Sequence, residues 1–337
     1  MTKERAAQIV ENLGYIIDID DEIKGLDLVK EIEKLKKEKN AVILAHFYQR
    51  PEVQNVADFI GDSLKLSQEA AKTQADMIVF AGVHFMAETA KILSPDKKVL
   101  LPDLNAGCSL ADSITPEGLK ELKEKYPEHM VISYVNTSAE IKAMTDLVCT
   151  SSNALRLIQT LPPEQKIIFT PDRNLGYYVK SLLDKSDEDF IIWDGACHVH
   201  NGFNKDAFEY MKEKYPNAKL IAHPESPKEI LLVADFIGST SALLKYVTES
   251  EDKEFIVATE EGITYQMKKK NPDKIFHVLG SATCACGFCE FMKTITLEKL
   301  YLTLKYEVPE IILDKKLIEK AYIPIKRMLS LSEKLGY

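Results

Sequence analysis

The sequence predicts an α/β protein of three pseudo-threefold-related units, each a small parallel sheet flanked by helices, around a central active site. The first observation is a repeat, because VADFIG stands at residues 56–61 and again at residues 233–238. Midway between them, MTDLVCTS at residues 144–151 keeps the pattern of an aspartate, two apolar residues, a small residue and a hydroxyl. The second observation is that apolar runs alternate with helical patterns, which is typical of parallel strands covered on both faces.

The repeat sets the order of the elements. Its aspartates are Asp58, Asp146 and Asp235. The first unit begins with a predicted strand, AVILA, which is followed by a segment of helical period, PEVQNVADF with SLKLSQEAAK. A second strand, MIVF, and a second helical segment, FMAETAKIL, come next, and a third strand and a loop end the unit. The predicted segments are an N-terminal arm and lead-in helix at 1–40, α/β units at 41–129, 130–217 and 218–309, and a helical closing segment at 310–337. We expect the closing helix to be broken by Pro324, since proline lacks the N–H that a helix uses.

Composition excludes several classes of protein. The 337 residues carry 43 Lys plus Arg against 52 Asp plus Glu, a net charge of −9. This negative field, without a basic stripe among aromatics, argues against nucleic-acid binding. No apolar run approaches the roughly 20 residues of a membrane span, and acids interrupt the apolar pairs of the N-terminal segment. We therefore expect a cytoplasmic protein with no membrane contact.

The predicted strand ends carry polar side chains at corresponding positions. Twelve residues before each repeat aspartate stand His46, Tyr134 and His223, and ten residues before stand Tyr48, Asn136 and Glu225. Five residues after each aspartate comes a hydroxyl, Ser63, Ser151 or Thr240, near a predicted helix start. Equivalent strand ends from three units would meet at one cavity, where helix N-termini favour anions. We therefore expect a substrate that carries carboxylates or phosphate.

Three of the six cysteines follow the repeat. Cys108, Cys197 and Cys289 are spaced 89 and 92 residues apart, each in the loop after the last predicted strand of its unit. Three convergent thiolates would suit zinc or an iron–sulfur cluster, and a four-iron cluster with three protein ligands keeps one iron open as a Lewis acid. Cys149 replaces the repeat glycine and is expected to be a packed residue. Cys284 and Cys286 form CxCxxC with Cys289, which alone is similar to a zinc half-site.

Seven motifs over about residues 30–331 carry a family resemblance. They are AHFYQRPEVQNVADFIGDSL, YVNTSAE, CTSSNA, PDRNLG, CHVH, HPESP and GST. With this series the sequence resembles the quinolinate synthase family, iron–sulfur enzymes of de novo NAD synthesis. The resemblance implies condensation of iminoaspartate with dihydroxyacetone phosphate to quinolinate, phosphate and two waters, on one 4Fe-4S cluster with three cysteine ligands and one open iron.

The resemblance also implies residue roles. The cluster ligands would be Cys108, Cys197 and Cys289. The substrate-site residues would be His46, Tyr48, Ser63, Tyr134, Asn136, Ser151, His200, His223, Glu225, Ser239 and Thr240. Glu225, flanked by His223, is the candidate proton shuttle, and His46 with Tyr48 would manage enolisation of the triose. Since iminoaspartate is unstable in water, we also expect transient contact with the enzyme that produces it.

Two alternatives stay open at the level of sequence. A diphthamide-type radical enzyme also combines three α/β units with three cluster cysteines, although HPESP and YVNTSAE favour the quinolinate synthase family. A non-catalytic, zinc-stabilised, three-lobed protein would use the cysteines only to fasten its units and would be colourless.

Overall fold

A computed structural model describes residues 23–280 and 287–337, and the chain divides into two compact units. The first unit comprises Met1–Cys108 and Glu290–Glu319, and the second comprises Ser109–Cys289 and Lys320–Tyr337. Most of the predicted N-terminal arm, together with Cys284 and Cys286, lies outside the described residues. The finer five-segment division of the chain stays a prediction.

The first unit contains one parallel sheet of four strands in the order β2-β1-β3-β4. Its strands are β1 (Ala41–His46), β2 (Phe59–Gly61), β3 (Met77–Ala81) and β4 (Lys98–Leu100). Its helices are α1 (Leu28–Glu38), α2 (Pro51–Val56), α3 (Ser63–Lys72), α4 (His84–Leu93), α13 (Glu290–Lys293) and α14 (Leu297–Tyr306). Strands β1, β3 and β4 are largely buried, as the continuous apolar runs predict, whereas Phe59 of β2 is exposed. One apolar core joins the sheet to α1 and α14.

The second unit repeats this sheet twice, in the orders β6-β5-β7-β8 and β10-β9-β11-β12. The strands are β5 (Met130–Tyr134), β6 (Leu147–Cys149), β7 (Ile167–Thr170), β8 (Phe190–Ile192), β9 (Lys219–Ala222), β10 (Phe236–Ile237), β11 (Glu254–Ala258) and β12 (Ile275–Val278). The helices are α5 (Pro116–Lys125), α6 (Ala139–Ala143), α7 (Ala154–Ile158), α8 (Arg173–Ser181), α9 (Lys205–Lys214), α10 (Lys228–Leu231), α11 (Thr240–Glu249) and α12 (Ile263–Lys270). Three similar four-stranded parallel sheets confirm the predicted α/β class.

The three repeat aspartates perform the same structural task. Each carboxylate accepts a hydrogen bond from the backbone N–H fifteen residues earlier, in the first strand of its own sheet. The bonds are Ile43 to Asp58, Val131 to Asp146 and Leu220 to Asp235, each 2.8 Å long. Each aspartate N–H also donates to the carbonyl of the same strand residue. The predicted equivalence of the three positions therefore has a physical basis in sheet assembly.

The hydrogen bonds of the repeat aspartates also explain why the secondary structure predicted for this segment was wrong. The helical pattern over residues 51–72 contains a break, because β2 lies between α2 and α3. The two bonds between Asp58 and Ile43 draw the segment alongside β1, so Phe59–Gly61 joins the sheet. Each sheet consequently has four strands rather than the expected three, and the cysteine loops follow the fourth.

The break expected at Pro324 was also wrong. Helix α15 (Lys315–Lys334) continues through Pro324. Its apolar stripe, including Ala321, Ile325 and Met328, stays buried across the proline. This packing outweighs the loss of one helical hydrogen bond. Near its end, the Ser332 hydroxyl accepts a 2.9 Å hydrogen bond from the buried Asn153 side chain.

No helix within residues 23–280 and 287–337 is both long and apolar enough to cross a membrane.

Candidate active site and cysteine loops

The three spaced cysteines occupy the same backbone position in their repeats. In each repeat, a backbone N–H three residues beyond the third strand donates to the carbonyl two residues before the cysteine. The bonds run from His84 to Ala106 (2.7 Å), from Arg173 to Gly195 (2.8 Å) and from Glu261 to Gly287 (2.8 Å). Cys108, Cys197 and Cys289 are each partly exposed. A repeat spacing read from sequence thus corresponds to one recurring loop geometry.

Within the second unit, Cys197 and Cys289 contact the same apolar cluster. Both loops carry a glycine where they approach neighbouring backbone. A Cβ on Gly195 would lie 2.5 Å from the Pro171 carbonyl oxygen, so the Cys197 loop passes closer to that backbone than a larger residue would allow. A Cβ on Gly287 would lie 3.1 Å from the Leu279 carbonyl oxygen, a tight contact that a shift of a few tenths of an ångström would relieve.

Two buried carboxylates bind the main chain of these cysteines. Asp172 Oδ2 accepts a hydrogen bond from the Cys197 N–H at 3.3 Å, and Glu260 Oε1 accepts one from the Cys289 N–H at 3.0 Å. Both side chains are fully buried. Sequence reasoning missed them, although the repeat held a signal, because their positions differ by one repeat step of 88 residues.

His200 connects the Cys197 loop to the ends of the sheet strands. Its Nδ1 lies 2.7 Å from Glu225 Oε2 and 3.3 Å from Cys197 Sγ. Its Nε2 lies 2.9 Å from the Thr259 hydroxyl, which follows β11 and also escaped prediction. The imidazole thus lies between a thiol, a carboxylate and a hydroxyl, and the Thr259 bond orients its ring.

His223, which follows β9, completes a buried group around Glu225. Its ring stacks on that of His200, with centroids 4.7 Å apart, and its Nδ1 lies 3.7 Å from Glu225 Oε2. Its Nε2 lies 3.1 Å from the Ser151 hydroxyl. Asn174 holds the Glu225 main chain by donating to its carbonyl oxygen at 2.9 Å. The fold thus brings together Ser151, Cys197, His200, His223 and Glu225.

The charges of this group favour an ionised Glu225. Burial alone would raise the pKa of Glu225, but the positive charges of His200 and His223, with hydrogen bonds from His200 and Tyr134, outweigh burial and lower it to about 2. Burial, and then the negative charge of Glu225, raise the pKa of Asp172 well above its usual range. The site therefore combines one anionic carboxylate, Glu225, with the two imidazoles that lie beside it.

Ligand atoms of Cys197, His200 and Glu225 lie within 4.8 Å of one another, which is close enough for a metal ion to bind all three. Thiolate is the soft ligand of this set and suits zinc or iron–sulfur centres, whereas the imidazole and carboxylate suit harder metals. The chemistry of these donors is compatible with a metal cofactor.

Asn136 and Tyr134 lie at the end of β5. Tyr134 is buried, and Asn136 Oδ1 is buried without a hydrogen-bond partner among the described residues. Ser239 caps α11 by accepting from the Ala242 N–H at 3.3 Å, and the buried Thr240 is the first residue of that helix. These residues place polar side chains beyond the carboxyl end of β5 and at the start of α11.

In the first unit, His46 ends β1 and its Nδ1 accepts a hydrogen bond from the Tyr48 N–H at 3.2 Å. The two rings meet edge to face, with centroids 4.4 Å apart. The Lys293 ammonium donates to the Tyr48 carbonyl at 2.7 Å. Ser63 is the first residue of α3, whose cap is Asp62. His46 and Tyr48 therefore form one preorganised pair.

Comparison with known proteins gives a consistent family. Residues 30–330 match the model of the quinolinate synthetase A protein family. The chain is 55% identical to the quinolinate synthase of Chloroherpeton thalassium over 313 residues, covering 92% of this chain and 96% of that protein. It is 55% identical to the quinolinate synthase of a Synechocystis species, covering 91% and 96% of the two chains. For the quinolinate synthase of Nostoc punctiforme, the identity is 56% and the coverages are 91% and 94%.

Proposed function

The chain belongs to the quinolinate synthetase A family and is an enzyme that forms quinolinate for NAD biosynthesis, and from this premise we propose how its residues carry out the reaction. The substrates are iminoaspartate and dihydroxyacetone phosphate, and the products are quinolinate, phosphate and two waters. The cofactor is one 4Fe-4S cluster held by Cys108, Cys197 and Cys289. Two small molecules are joined, so neither nucleic acid nor membrane takes part.

The cofactor proposal rests on one observation. The three cysteines occupy the same backbone position in their repeats. The hydrogen bonds to the carbonyls of Ala106, Gly195 and Gly287 recur at 2.7–2.8 Å in three repeats. A cluster with three thiolate ligands needs three equivalent donors, and a triplicated loop supplies them. When bound, such a cluster supplies a Lewis-acidic iron that assists loss of hydroxide from the substrate.

Glu225 and its two histidines move protons in this proposal. A carboxylate with a pKa of about 2 is a weak base at neutral pH, so an imidazole is the better group to accept a proton. His200 and His223 then exchange protons with the substrate, and Glu225 stabilises whichever imidazolium forms. The Thr259 and Ser151 hydroxyls orient the two rings through the Nε2 atoms.

Hydroxyl and amide groups bind the anionic parts of the substrates. Tyr134, Asn136 and Ser151 serve the carboxylates through their O–H and N–H donors, while the unpartnered Asn136 Oδ1 accepts from a substrate N–H or O–H. Ser63, Ser239 and Thr240 lie at the starts of ten-residue helices, whose free N–H groups favour phosphate and carboxylate. His46 and Tyr48 manage enolisation of the triose phosphate, since their hydrogen bond orients the imidazole.

The experiment that tests this function combines an assay with a spectrum. The full chain is purified without oxygen, its visible absorption is recorded, and quinolinate is measured after addition of dihydroxyacetone phosphate and iminoaspartate generated in situ. We expect a brown protein that forms quinolinate and loses this activity when the cluster is bleached. A colourless protein that contains one zinc and forms no quinolinate would overturn the proposal.

A further inference from the structure

We propose that Asp172 and Glu260 are positioning residues, which hold the main chain of Cys197 and Cys289 in the conformation that presents both thiolates to the cofactor. This inference rests on the proposed iron–sulfur function. Each carboxylate acts on the backbone N–H of the cysteine, and so on the direction in which the side chain leaves the loop.

Each carboxylate joins two N–H groups that belong to different segments. Asp172 Oδ1 accepts from Leu175 in the first turn of α8 at 2.7 Å, while Oδ2 accepts from Cys197. Glu260 Oε2 accepts from Gly262, just before α12, at 2.7 Å, while Oε1 accepts from Cys289. The loop that carries the cysteine is thereby tied to the start of the helix that follows the third strand.

The two residues are equivalent in the repeat, although one is aspartate and the other glutamate. Each stands two positions past the third strand of its sheet, Asp172 after β7 and Glu260 after β11. Chemistry that recurs at the same place with a different side-chain length indicates that the carboxylate itself is needed. The corresponding residue of the first repeat is Val83, which offers no acceptor. A buried carboxyl group therefore binds the backbone N–H of two of the three cysteines, Cys197 and Cys289.

A carboxyl group brings two oxygen atoms to this task, and in Asp172 and Glu260 each of the two oxygens accepts a different backbone N–H. An amide of the same size has one oxygen acceptor, and its other terminal atom is a nitrogen donor. Both side chains are fully buried, so the two backbone N–H groups that each one binds depend on its two oxygens, which asparagine or glutamine would not both supply.

The test uses the isosteric substitutions Asp172→Asn and Glu260→Gln in the full chain, purified without oxygen with its cluster. An amide can accept from only one of the two N–H groups. The bonds to Leu175 and Gly262 are the shorter ones, so the bond to the cysteine is expected to be lost. The readouts are the rate of iron release to a chelator and the EPR spectrum of the reduced cluster. We expect iron release about tenfold faster in each variant, with an altered EPR line shape.

The matched control is Asp235→Asn, which makes the same chemical change at an aspartate that binds the Leu220 N–H in the sheet. It should lower the thermal midpoint without changing iron release or the EPR spectrum. Asp172→Glu, which keeps two acceptor oxygens, should recover part of the iron retention. Should Asp172→Asn fail to fold, Glu260→Gln tests the equivalent hydrogen bond to a cysteine N–H in another sheet.

The outcomes separate this inference from the function on which it rests. Iron release as slow in Asp172→Asn and Glu260→Gln as in Asp235→Asn, beside a wild-type protein with a normal cluster, would overturn the positioning role alone. A wild-type protein that forms quinolinate without any iron–sulfur cluster would overturn the proposed cofactor, and the positioning role with it.

Discussion

His200 Nδ1 lies 2.7 Å from Glu225 Oε2, and the two side chains are only 2% and 3% exposed. The same nitrogen lies 3.3 Å from Cys197 Sγ. A single imidazole therefore connects the loop of a proposed cluster ligand to the acidic residue that follows β9. The contact between His200 and Glu225 is therefore the feature on which the proposed proton transfer depends.

Glu225→Gln should lower kcat by about 10²- to 10⁴-fold, because it removes the charge that stabilises the neighbouring imidazolium. The visible spectrum of the cluster should be unchanged, since Glu225 is not one of the three proposed ligands. Steady-state assays of quinolinate formation with spectra of the same samples measure both quantities.

A matched control for this variant is Glu254→Gln. Glu254 also pairs with a histidine, its Oε1 lying 2.9 Å from His277 Nε2, but this pair contains none of the proposed site residues. Its kcat should remain near that of the wild type. A Glu225→Gln enzyme as active as Glu254→Gln would exclude Glu225 from proton transfer.

Gly195→Ala should destabilise the protein and disturb the Cys197 loop. The added Cβ would lie 2.2 Å from Ser113 Oγ and 2.5 Å from the Pro171 carbonyl oxygen, so the backbone must shift. We expect a loss of about 1–3 kcal/mol in the free energy of unfolding, measured by urea denaturation, together with lower iron content.

Gly107→Ala, next to Cys108, is the corresponding control. A Cβ there would find its closest atoms at 3.8 Å, which is ordinary contact. Its stability should be within about 0.5 kcal/mol of the wild type. Equal stability of the two alanine variants would show that the close approach at Gly195 has no energetic consequence.

Much of this architecture could be predicted from the sequence because it is repeated. Three copies of one pattern identified the parallel sheets and equivalent cysteines, and Asp58, Asp146 and Asp235 proved to be equivalent contacts. The short second strands could not be found by periodicity. Phe59–Gly61 has three residues, and long-range hydrogen bonds place it in the sheet.

The hydrogen-bond partners of buried polar groups also could not be predicted from local sequence patterns. Asp172 precedes Cys197 by 25 residues and Glu260 precedes Cys289 by 29, so a local pattern does not pair them, and only the repeat step of 88 residues relates the two carboxyl groups. Pro324 was misjudged for a related reason, since burial of the stripe on α15 outweighs a local helix breaker. Where distant contacts decide the outcome, local propensity is a poor guide.

Glu307→Gln should lower stability at neutral pH and leave it unchanged in strong acid. Hydrogen bonds from Lys39 and Lys98, at 2.6 Å and 2.5 Å, lower the pKa of Glu307 from 4.5 to about 2. The ionised carboxylate therefore stabilises the folded state fully above about pH 4.5, and this contribution is lost as the pH falls towards 2.

Because the Glu307 side chain is 26% exposed, solvent screening limits the expected effect to about 1 kcal/mol at pH 7. The measurement is the free energy of unfolding of both proteins between pH 7 and pH 2. Their stability curves should converge below pH 4.5, and a constant difference down to pH 2 would contradict the ion-pair origin of the effect.

The most direct test of the central claim is the iron and sulfide content, with the visible spectrum, of four single cysteine variants purified without oxygen. Cys108→Ala, Cys197→Ala and Cys289→Ala should each lose the cluster and its colour, because each removes one of three thiolate ligands. Cys149→Ala should keep about four irons per chain, since Cys149 is fully buried at the end of β6 and burial raises the pKa of its thiol. Full colour and iron content in all three ligand variants would contradict the claim that one cysteine from each repeat holds the cluster.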